Sequence, residues 1–115
     1  MTRDPDCLFC NIVAGDTPAD ITADSQGAVA FRDVNPQAPT HILVVPRDHH
    51  PNVGELAAGD PAALADVVSL AAQVAEAEQL GAYRLVFNTG AEAGQSVYHC
   101  HAHVLGGRAM TWPPG

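Results

Sequence analysis

Three histidines at alternate positions, His99, His101 and His103, are the residues of this sequence best suited to chemistry. Alternate side chains of a β-strand point to one face, so we expect the three imidazoles to share a surface. Cys100 and Ala102, which stand between them, would then face the core. A solvated histidine-rich strand face is the plain alternative. Because a neutral imidazole can bind a metal or attack phosphorus, the row is compatible with either use.

The segments on either side of these histidines favour phosphorus chemistry. Residues 90–96 (GAEAGQS) form a small-residue loop that could offer backbone N–H groups and the Ser96 hydroxyl to a phosphate. Downstream, Gly106 and Gly107 allow the chain to turn tightly. A loop that holds an anion beside a row of imidazoles predicts nucleotidyl or phosphoryl chemistry.

Cys7 and Cys10 form a second candidate site, because they stand one helical turn apart. Together with His49 or His50 and one of the alternate histidines, they could complete a tetrahedral set of two cysteines and two histidines. Two cysteines at this spacing also occur as ordinary core residues. The odd count of three cysteines argues against a disulfide framework, so a metal site and buried thiols both stay open.

Hydrophobic periodicity and the glycine and proline positions predict the elements that must position these residues. One dominant helix on a mostly antiparallel sheet of about five strands is an α+β layer design, and we expect a single domain over residues 1–115. We predict a short helix over 7–13, strands near 21–23, 28–33, 41–46, 83–88 and 97–105, and a long helix between 60 and 81.

The long helix is bracketed by Asp60 as N-cap, Pro61 at the first helical position and Gly81 as C-terminal cap. Its apolar residues fall on one stripe at helical spacing, which we expect to face the sheet. The stripe comprises Leu64, Val67, Val68, Ala71, Val74 and Ala75.

Charge and composition exclude several classes of function. The net charge is −8, and the five positive residues are all arginines that stand apart from one another. The chain therefore lacks a basic patch for nucleic acid, a lysine nucleophile and a polybasic membrane anchor. No segment has the roughly 18 to 20 continuous apolar residues of a membrane helix, and no apolar signal core stands near the first residues. We expect a cytoplasmic protein with no nucleic-acid or membrane partner.

Taken together, the motifs resemble the histidine triad (HIT) family, and most closely its HINT branch of histidine triad nucleotide-binding proteins. The family signature alternates histidine with apolar residues, and Cys100 and Ala102 are smaller than the aliphatic residues usual there. The resemblance covers almost the full length. It is carried by His99-Cys100-His101-Ala102-His103-Val104-Leu105, Phe31-Arg32-Asp33, Pro36-Gln37-Ala38-Pro39-Thr40-His41, Gly94-Gln95-Ser96-Val97-Tyr98 and Trp112-Pro113-Pro114-Gly115.

The resemblance implies a homodimer with its sheet extended across both subunits and two AMP-sized sites. It also implies hydrolysis of the bond between a purine nucleoside 5′-monophosphate and a leaving group. His101 would attack phosphorus and form a covalent nucleotidyl intermediate, His103 would hydrogen-bond the phosphate, and Ser96 would assist the leaving atom. With His99, these residues make up the implied catalytic set.

The same resemblance implies the residues that bind the nucleotide. Asp33 would accept from the ribose hydroxyls, and Phe31 and Val34 would flank the base. In this branch the C-terminal tail, here containing Trp112, approaches the site of the other subunit. The phosphate side would be lined by Asn88, Gly94, Gln95, Ser96 and Val97, together with His101 and His103.

Several bacterial members resemble this chain in holding zinc between a cysteine pair and two histidines. Carried over, the ligands would be Cys7, Cys10, His49 and His99 in a closed structural site. The alternative is a pair of buried thiols with His49 hydrogen-bonded to His99. Cys100 would face the core and would not be a ligand.

Three functions remain in competition at the level of sequence. The favoured one is hydrolysis of phosphoramidates of purine nucleotides. The related transferase branch has glutamine at the position of His103, which favours hydrolysis over nucleotide transfer, and the tail Trp112-Pro113-Pro114-Gly115 marks the HINT branch, which favours an amine as leaving group. The others are hydrolysis of dinucleotide polyphosphates and a nucleotide-binding scaffold. Outside the site, we expect His41 to be structural, His50 to be exposed and Arg108 to pair with an acid or with the other subunit.

Overall fold

The computed structural model describes residues 3–115, which form three α-helices and five β-strands. Residues 91–93 add one turn of 3-10 helix. The elements in chain order are α1 Leu8–Ala14, β1 Ile21–Asp24, β2 Ala28–Arg32, β3 Thr40–Pro46, α2 Val53–Gly59, α3 Pro61–Ala77, β4 Tyr83–Phe87 and β5 Ala102–Gly106.

The five strands form one antiparallel sheet in the order β1-β2-β3-β5-β4, which confirms the predicted α+β class. Strand β5, which carries His103, lies between β3 and β4. His103 stands opposite Leu43 on one neighbour and Val86 on the other. The register therefore places this histidine in the interior of the sheet, where both flanking strands fix its position.

The two faces of the sheet are covered by different helices. Helix α3 covers one face, where Ile42 and Val44 point; α1 covers the other, where Leu43 and Val45 point. Strand β3 is therefore buried on both sides, as its continuous apolar run predicts. The α1 side comprises Cys7, Phe9, Cys10, Val29, Phe31, Leu43 and Val45.

Strand β5 begins at Ala102, five residues later than the predicted strand at 97. Continuing the β3–β5 register would place Cys100 opposite Pro46, and a proline has no N–H for the ladder. Instead, the Cys100 N–H donates to the His50 carbonyl at 2.6 Å. His99 and His101 thus lie in an irregular segment just before the strand.

Helix α3 begins as predicted, with the Asp60 side chain accepting from the Ala63 N–H at 3.1 Å and with Pro61 in the first turn. The predicted C-terminal cap at Gly81 is wrong. The helix ends at Ala77, because Gln79 adopts a φ of 59° and the Leu80 N–H bonds back to the Ala75 carbonyl at 2.9 Å. A glutamine therefore fills the left-handed position that glycine usually takes.

Two further details differ from the sequence prediction. A second short helix, α2, was not expected; it begins where the Asn52 side chain accepts from the Glu55 N–H at 2.9 Å. On α3, Val68 belongs to the predicted stripe but is 41% exposed, whereas Leu70, which the stripe omits, is 1% exposed. Leu70 packs with the sheet beside Val67 and Val74.

No helix in the described part of the chain is long and apolar enough to cross a membrane. The single domain expected over residues 1–115 stays a prediction, and its first two residues lie outside the described ones.

Replacing Leu70 by alanine tests the observed packing of α3. Because Leu70 is fully buried against the sheet, Leu70→Ala is expected to lower the free energy of unfolding by about 2–5 kcal/mol. The matched control is the neighbouring exposed Ser69→Ala, expected to change it by less than about 0.5 kcal/mol. Urea titration at one protein concentration measures both, and equal effects would contradict this packing.

Candidate active site

His101 is held in one tautomer by a main-chain carbonyl. Its Nδ1 donates to the His99 carbonyl at 2.8 Å, so the hydrogen of the neutral ring sits on Nδ1 and Nε2 keeps a lone pair. Burial lowers the pKa of His101, an effect that the His99 carbonyl and the Asp33 charge offset only in part. Phe9 packs edge-on against the ring at 5.0 Å. His101 is therefore an oriented, neutral imidazole with a free nucleophilic nitrogen.

His103 lies next to His101, with the ring centroids 4.9 Å apart. Burial, with the added repulsion of His101 and His41, lowers the pKa of His103 to about 4, so the ring stays neutral near pH 7. Its Nδ1 lies 2.9 Å from Nε2 of His41. Its own Nε2 is buried and has no hydrogen-bond partner among the described residues.

Both histidines line a cavity of about 490 Å³, which lies in the range of small-molecule sites. Strand β2 and the residues after it supply one wall, and the loop before β5 supplies another. Of the residues that the sequence assigned to nucleotide binding, the cavity is lined by Phe31, Asp33, Val34, Gly94, Ser96, Val97, His101 and His103.

Helix α1 supplies part of the wall that the sequence reasoning missed. Leu8, Phe9 and Ile12 all line the cavity, and Leu8 is 48% exposed. The available signal for this wall was Leu8, an apolar residue on the exposed face of a short helix. The α1 wall makes this side of the cavity largely apolar.

The remaining assigned residues do not line the cavity. Gln95 is buried, its Oε1 accepts from the Gly90 N–H at 2.9 Å, and its Nε2 donates to the carbonyls of Pro51 and Val97. Its side chain thus braces the loop from inside. The Asn88 amide lies beside Gly94, whose φ of 101° favours glycine.

Trp112 lies away from the cavity within the single chain. Its ring is 82% exposed, and the guanidinium of Arg84 on β4 stands 6.0 Å from the ring centre. Arg84 also donates to the Thr111 carbonyl, which holds the C-terminal segment against the β4 side of the sheet.

A second cavity of about 440 Å³ adjoins the first. Leu8, Ser96 and Val97 line both cavities, so the Ser96 side chain stands at the boundary between them. The second cavity is also lined by Asp4 and Asp6. Ser96 is therefore placed to contact a molecule that extends from one cavity to the other.

The sequence-predicted metal ligands Cys7, Cys10, His49 and His99 come together, with their ligand atoms all within 4.8 Å of one another. Nδ1 of His99 lies 3.5 Å from both sulfurs, and Nδ1 of His49 lies 3.5 Å from the Cys10 sulfur. A tetrahedral zinc with ordinary bond lengths separates its sulfur and nitrogen ligands by about 3.5 Å. The four residues could therefore bind a metal.

The orientation of His99 also fits a metal ligand. Its Nε2 donates to the Pro46 carbonyl at 2.8 Å, which leaves the Nδ1 lone pair facing the two sulfurs. Burial lowers the pKa of His99 to about 4, so the ring is in the neutral form that binds metals. Cys100 packs under α3 on the other face, as expected, and burial raises its thiol pKa to about 11.

A second group of potential ligands, Asp33, His41 and His103, also lies within 4.8 Å. The Gln37 N–H donates to Nδ1 of His41 at 3.0 Å, so the hydrogen of this ring must sit on Nε2. An Nε2 that carries hydrogen has no lone pair for a metal. This group is therefore a hydrogen-bonded chain and not a metal site.

The expectations for His41, His50 and Arg108 can be compared with the structure. His41 is buried, but it contacts His103 directly. The prediction of an exposed His50 is wrong: the residue is half-buried, because it lies beside Gly59 and its carbonyl accepts from Cys100. Arg108 donates to the Gln37 carbonyl at 3.2 Å, which is a main-chain acceptor and not an acid. The alternative, a contact with the other subunit, stays a prediction.

Comparisons with known proteins agree on the family. The HIT domain family model matches residues 14–110. A purine nucleoside phosphoramidase of Escherichia coli K12 is 42% identical over 105 residues, which cover 90% of this chain and 88% of that protein. The crystal structure of a HIT family hydrolase from Legionella pneumophila Philadelphia 1 superposes with a TM-score of 0.90 at 46% identity, covering 96% of this chain and 100% of that one.

A Zn-bound histidine triad family protein from Mycobacterium smegmatis superposes with a TM-score of 0.80 at 28% identity, covering 90% of this chain and 76% of that one. The alternating histidines just before and within β5, the fold and these matches lead to one conclusion. The chain belongs to the HIT domain family.

Proposed function

We propose that this protein is a HIT family hydrolase that cleaves the P–N bond of purine nucleoside 5′-phosphoramidates through a covalent intermediate on His101. The observation that carries the proposal is the tautomer of His101: Nδ1 is bonded to the His99 carbonyl, so Nε2 is available to attack phosphorus. The likeness to the E. coli purine nucleoside phosphoramidase supports this substrate class.

The cavity supports a specific pose for the nucleotide. The base lies against Phe31 and Val34, and the ribose hydroxyls donate to Asp33. The phosphate then meets His101 and His103. One carboxylate oxygen of Asp33 already accepts from the Asn35 N–H at 2.9 Å, which orients the group.

Neutral donors hold the phosphate in this pose. Arg32 also lines the cavity, but its guanidinium is paired with the Glu78 carboxylate at 3.0 Å. The phosphate is therefore bound by His103, Ser96 and the backbone near Gly94. Donors that are already positioned do not have to reorganise as charge develops on the phosphoryl oxygens.

The reaction proceeds in two displacements. Nε2 of His101 attacks phosphorus, the P–N bond of the substrate breaks, and the amine leaves with the electron pair and takes up a proton from solvent. Water then attacks phosphorus and loses a proton to solvent, the bond to Nε2 breaks, and the nucleoside monophosphate is released with His101 restored. Ser96, at the boundary of the two cavities, hydrogen-bonds the leaving nitrogen in the first step.

We further propose that Cys7, Cys10, His49 and His99 hold a structural zinc ion. The 3.5 Å sulfur–nitrogen separations and the Zn-bound M. smegmatis relative support this assignment. When bound, the ion supplies a cross-link between α1 and the segment that carries His99 and His101. It takes no part in the displacements.

We also propose a homodimer in which the sheet continues from one subunit into the other. Strand β4 is an edge of the sheet, and the C-terminal segment is held beside it through Arg84. The exposed ring of Trp112 is then available to the site of the other subunit. Burial of such a ring on association is favourable.

Replacement of the nucleophile tests the mechanism. His101→Ala is expected to lower kcat for an AMP amide by on the order of a thousandfold or more, because it removes the nitrogen that attacks phosphorus. AMP binding, measured by calorimetry, should survive. Rapidly quenched wild-type enzyme should carry an added AMP mass that peptide mapping assigns to His101.

The matched control is His50→Ala, which removes a half-buried histidine outside the cavity and should leave turnover unchanged. Full activity in His101→Ala, or an adduct on a different residue, would refute the nucleophile assignment.

Steady-state comparison of two substrate types tests the leaving group. We expect a higher kcat/KM for AMP amides than for diadenosine polyphosphates, because the E. coli relative is a purine nucleoside phosphoramidase. Both activities should be lost together in His101→Ala. The opposite order of kcat/KM would favour a dinucleotide polyphosphate hydrolase.

Metal analysis of untagged protein tests the zinc proposal. About one equivalent of zinc is expected in the wild type, and Cys10→Ala should lose it and melt at a lower temperature. Cys100→Ala is the control, since this buried cysteine lies on the other face and should keep the metal. A zinc content below about a tenth of an equivalent in the wild type would exclude the site.

A further inference from the structure

We propose that His41 is a positioning residue that fixes the tautomer of His103, so that Nε2 of His103 is a hydrogen-bond donor to the bound phosphate. The proposal rests on the proposed function only for the identity of the ligand. The tautomers themselves follow from contacts within the protein.

The first contact sets the hydrogen of His41. The Gln37 N–H points at Nδ1 of His41 at 3.0 Å, and a main-chain amide can only donate. Nδ1 must therefore accept, and the single N–H of the neutral ring is on Nε2. The Gln37 peptide is itself held from its other side, because Arg108 donates to the Gln37 carbonyl at 3.2 Å.

The second contact passes this constraint to His103. Nε2 of His41 lies 2.9 Å from Nδ1 of His103, and two N–H groups cannot face each other at this distance. Nδ1 of His103 must therefore accept, which places its hydrogen on Nε2. The Asp33 carboxylate, 3.4 Å from Nε2 of His41, is a second and more distant acceptor for the same hydrogen.

The third observation concerns the surroundings of the resulting donor. Nε2 of His103 is buried, it has no partner among the described residues, and the ring lines the nucleotide cavity. A buried donor without an acceptor is costly, and a phosphoryl oxygen in the cavity satisfies it. The other tautomer would present a lone pair to the same anion.

Sheet register makes this arrangement available. His41 on β3 is opposite Leu105 on β5, and Leu43 is opposite His103, so the two histidines are diagonal neighbours on one face. The loop before β3 then returns the Gln37 amide to the His41 ring. The main-chain amide of Gln37 thus sets the tautomer of His103, and it does so through His41.

Imidazole ¹⁵N NMR of the ligand-free protein tests the proposal directly. In the wild type, His41 and His103 should each show hydrogen on Nε2, with the His103 signals identified by their loss in His103→Asn. His41→Leu removes the donor and should leave His103 in a mixture of tautomers. His41→Gln, whose side-chain amide can donate from the position of Nε2, should restore the single Nε2–H form.

Kinetics supply the second measurement. In His41→Leu, kcat/KM for an AMP amide should fall by about tenfold to a hundredfold, the effect of losing a hydrogen bond to a charged group. His41→Gln should recover most of it. A structural role alone would lower activity in both variants and leave the His103 tautomer unchanged, and that result would overturn the proposal.

Hydrogen on Nδ1 of His103 in the wild type would overturn it as well, whatever the folding of the variants. If the wild type hydrolyses no phosphoramidate, the proposed function fails. The NMR comparison still decides the tautomer assignment in that case, because it uses no substrate.

Discussion

The end of the β3–β5 ladder at Pro46 is the constraint on which the rest of the site depends. Because proline cannot continue the ladder, the chain before Ala102 is freed from strand pairing. The Pro46 carbonyl instead accepts from His99, which turns Nδ1 of His99 towards the two cysteines. The His99 carbonyl in turn accepts from His101. One interrupted pairing thus orients both the candidate metal ligand and the candidate nucleophile.

Burial of neutral imidazoles explains how an acidic chain can accommodate an anion. Desolvation lowers the pKa of His41, His99, His101 and His103, so none adds a charge that the protein would have to bury near pH 7. Each ring acts through an oriented N–H or lone pair. The net charge of −8 and the lack of lysine exclude polyanions, but not a single phosphate that meets such donors.

Local sequence patterns correctly predicted those elements that depend on residues close together in the chain. The Asp60 cap, the start of α3 at Pro61 and the double burial of β3 were confirmed, because capping and periodicity act within a few residues. Val68 and Leu70 were misassigned because helical spacing does not indicate which side of α3 faces the sheet. Gln95 was predicted to bind the phosphate but lies buried inside the loop. The sequence could not show this, because its side chain donates to the Pro51 carbonyl, which is distant in the chain.

The sequence by itself determined which reactive groups this protein has: alternate histidines on one face, a cysteine pair one helical turn apart and a loop suited to an anion. These depend on residue type and spacing alone. Only the tertiary structure decided the protonation sites of His99 and His103, because the deciding partner of each ring is far away in the chain. His99 is set by Pro46, 53 residues away, and His103 by His41, 62 residues away. A tautomer is chosen by what faces the ring, and for these two rings no local pattern contains that information.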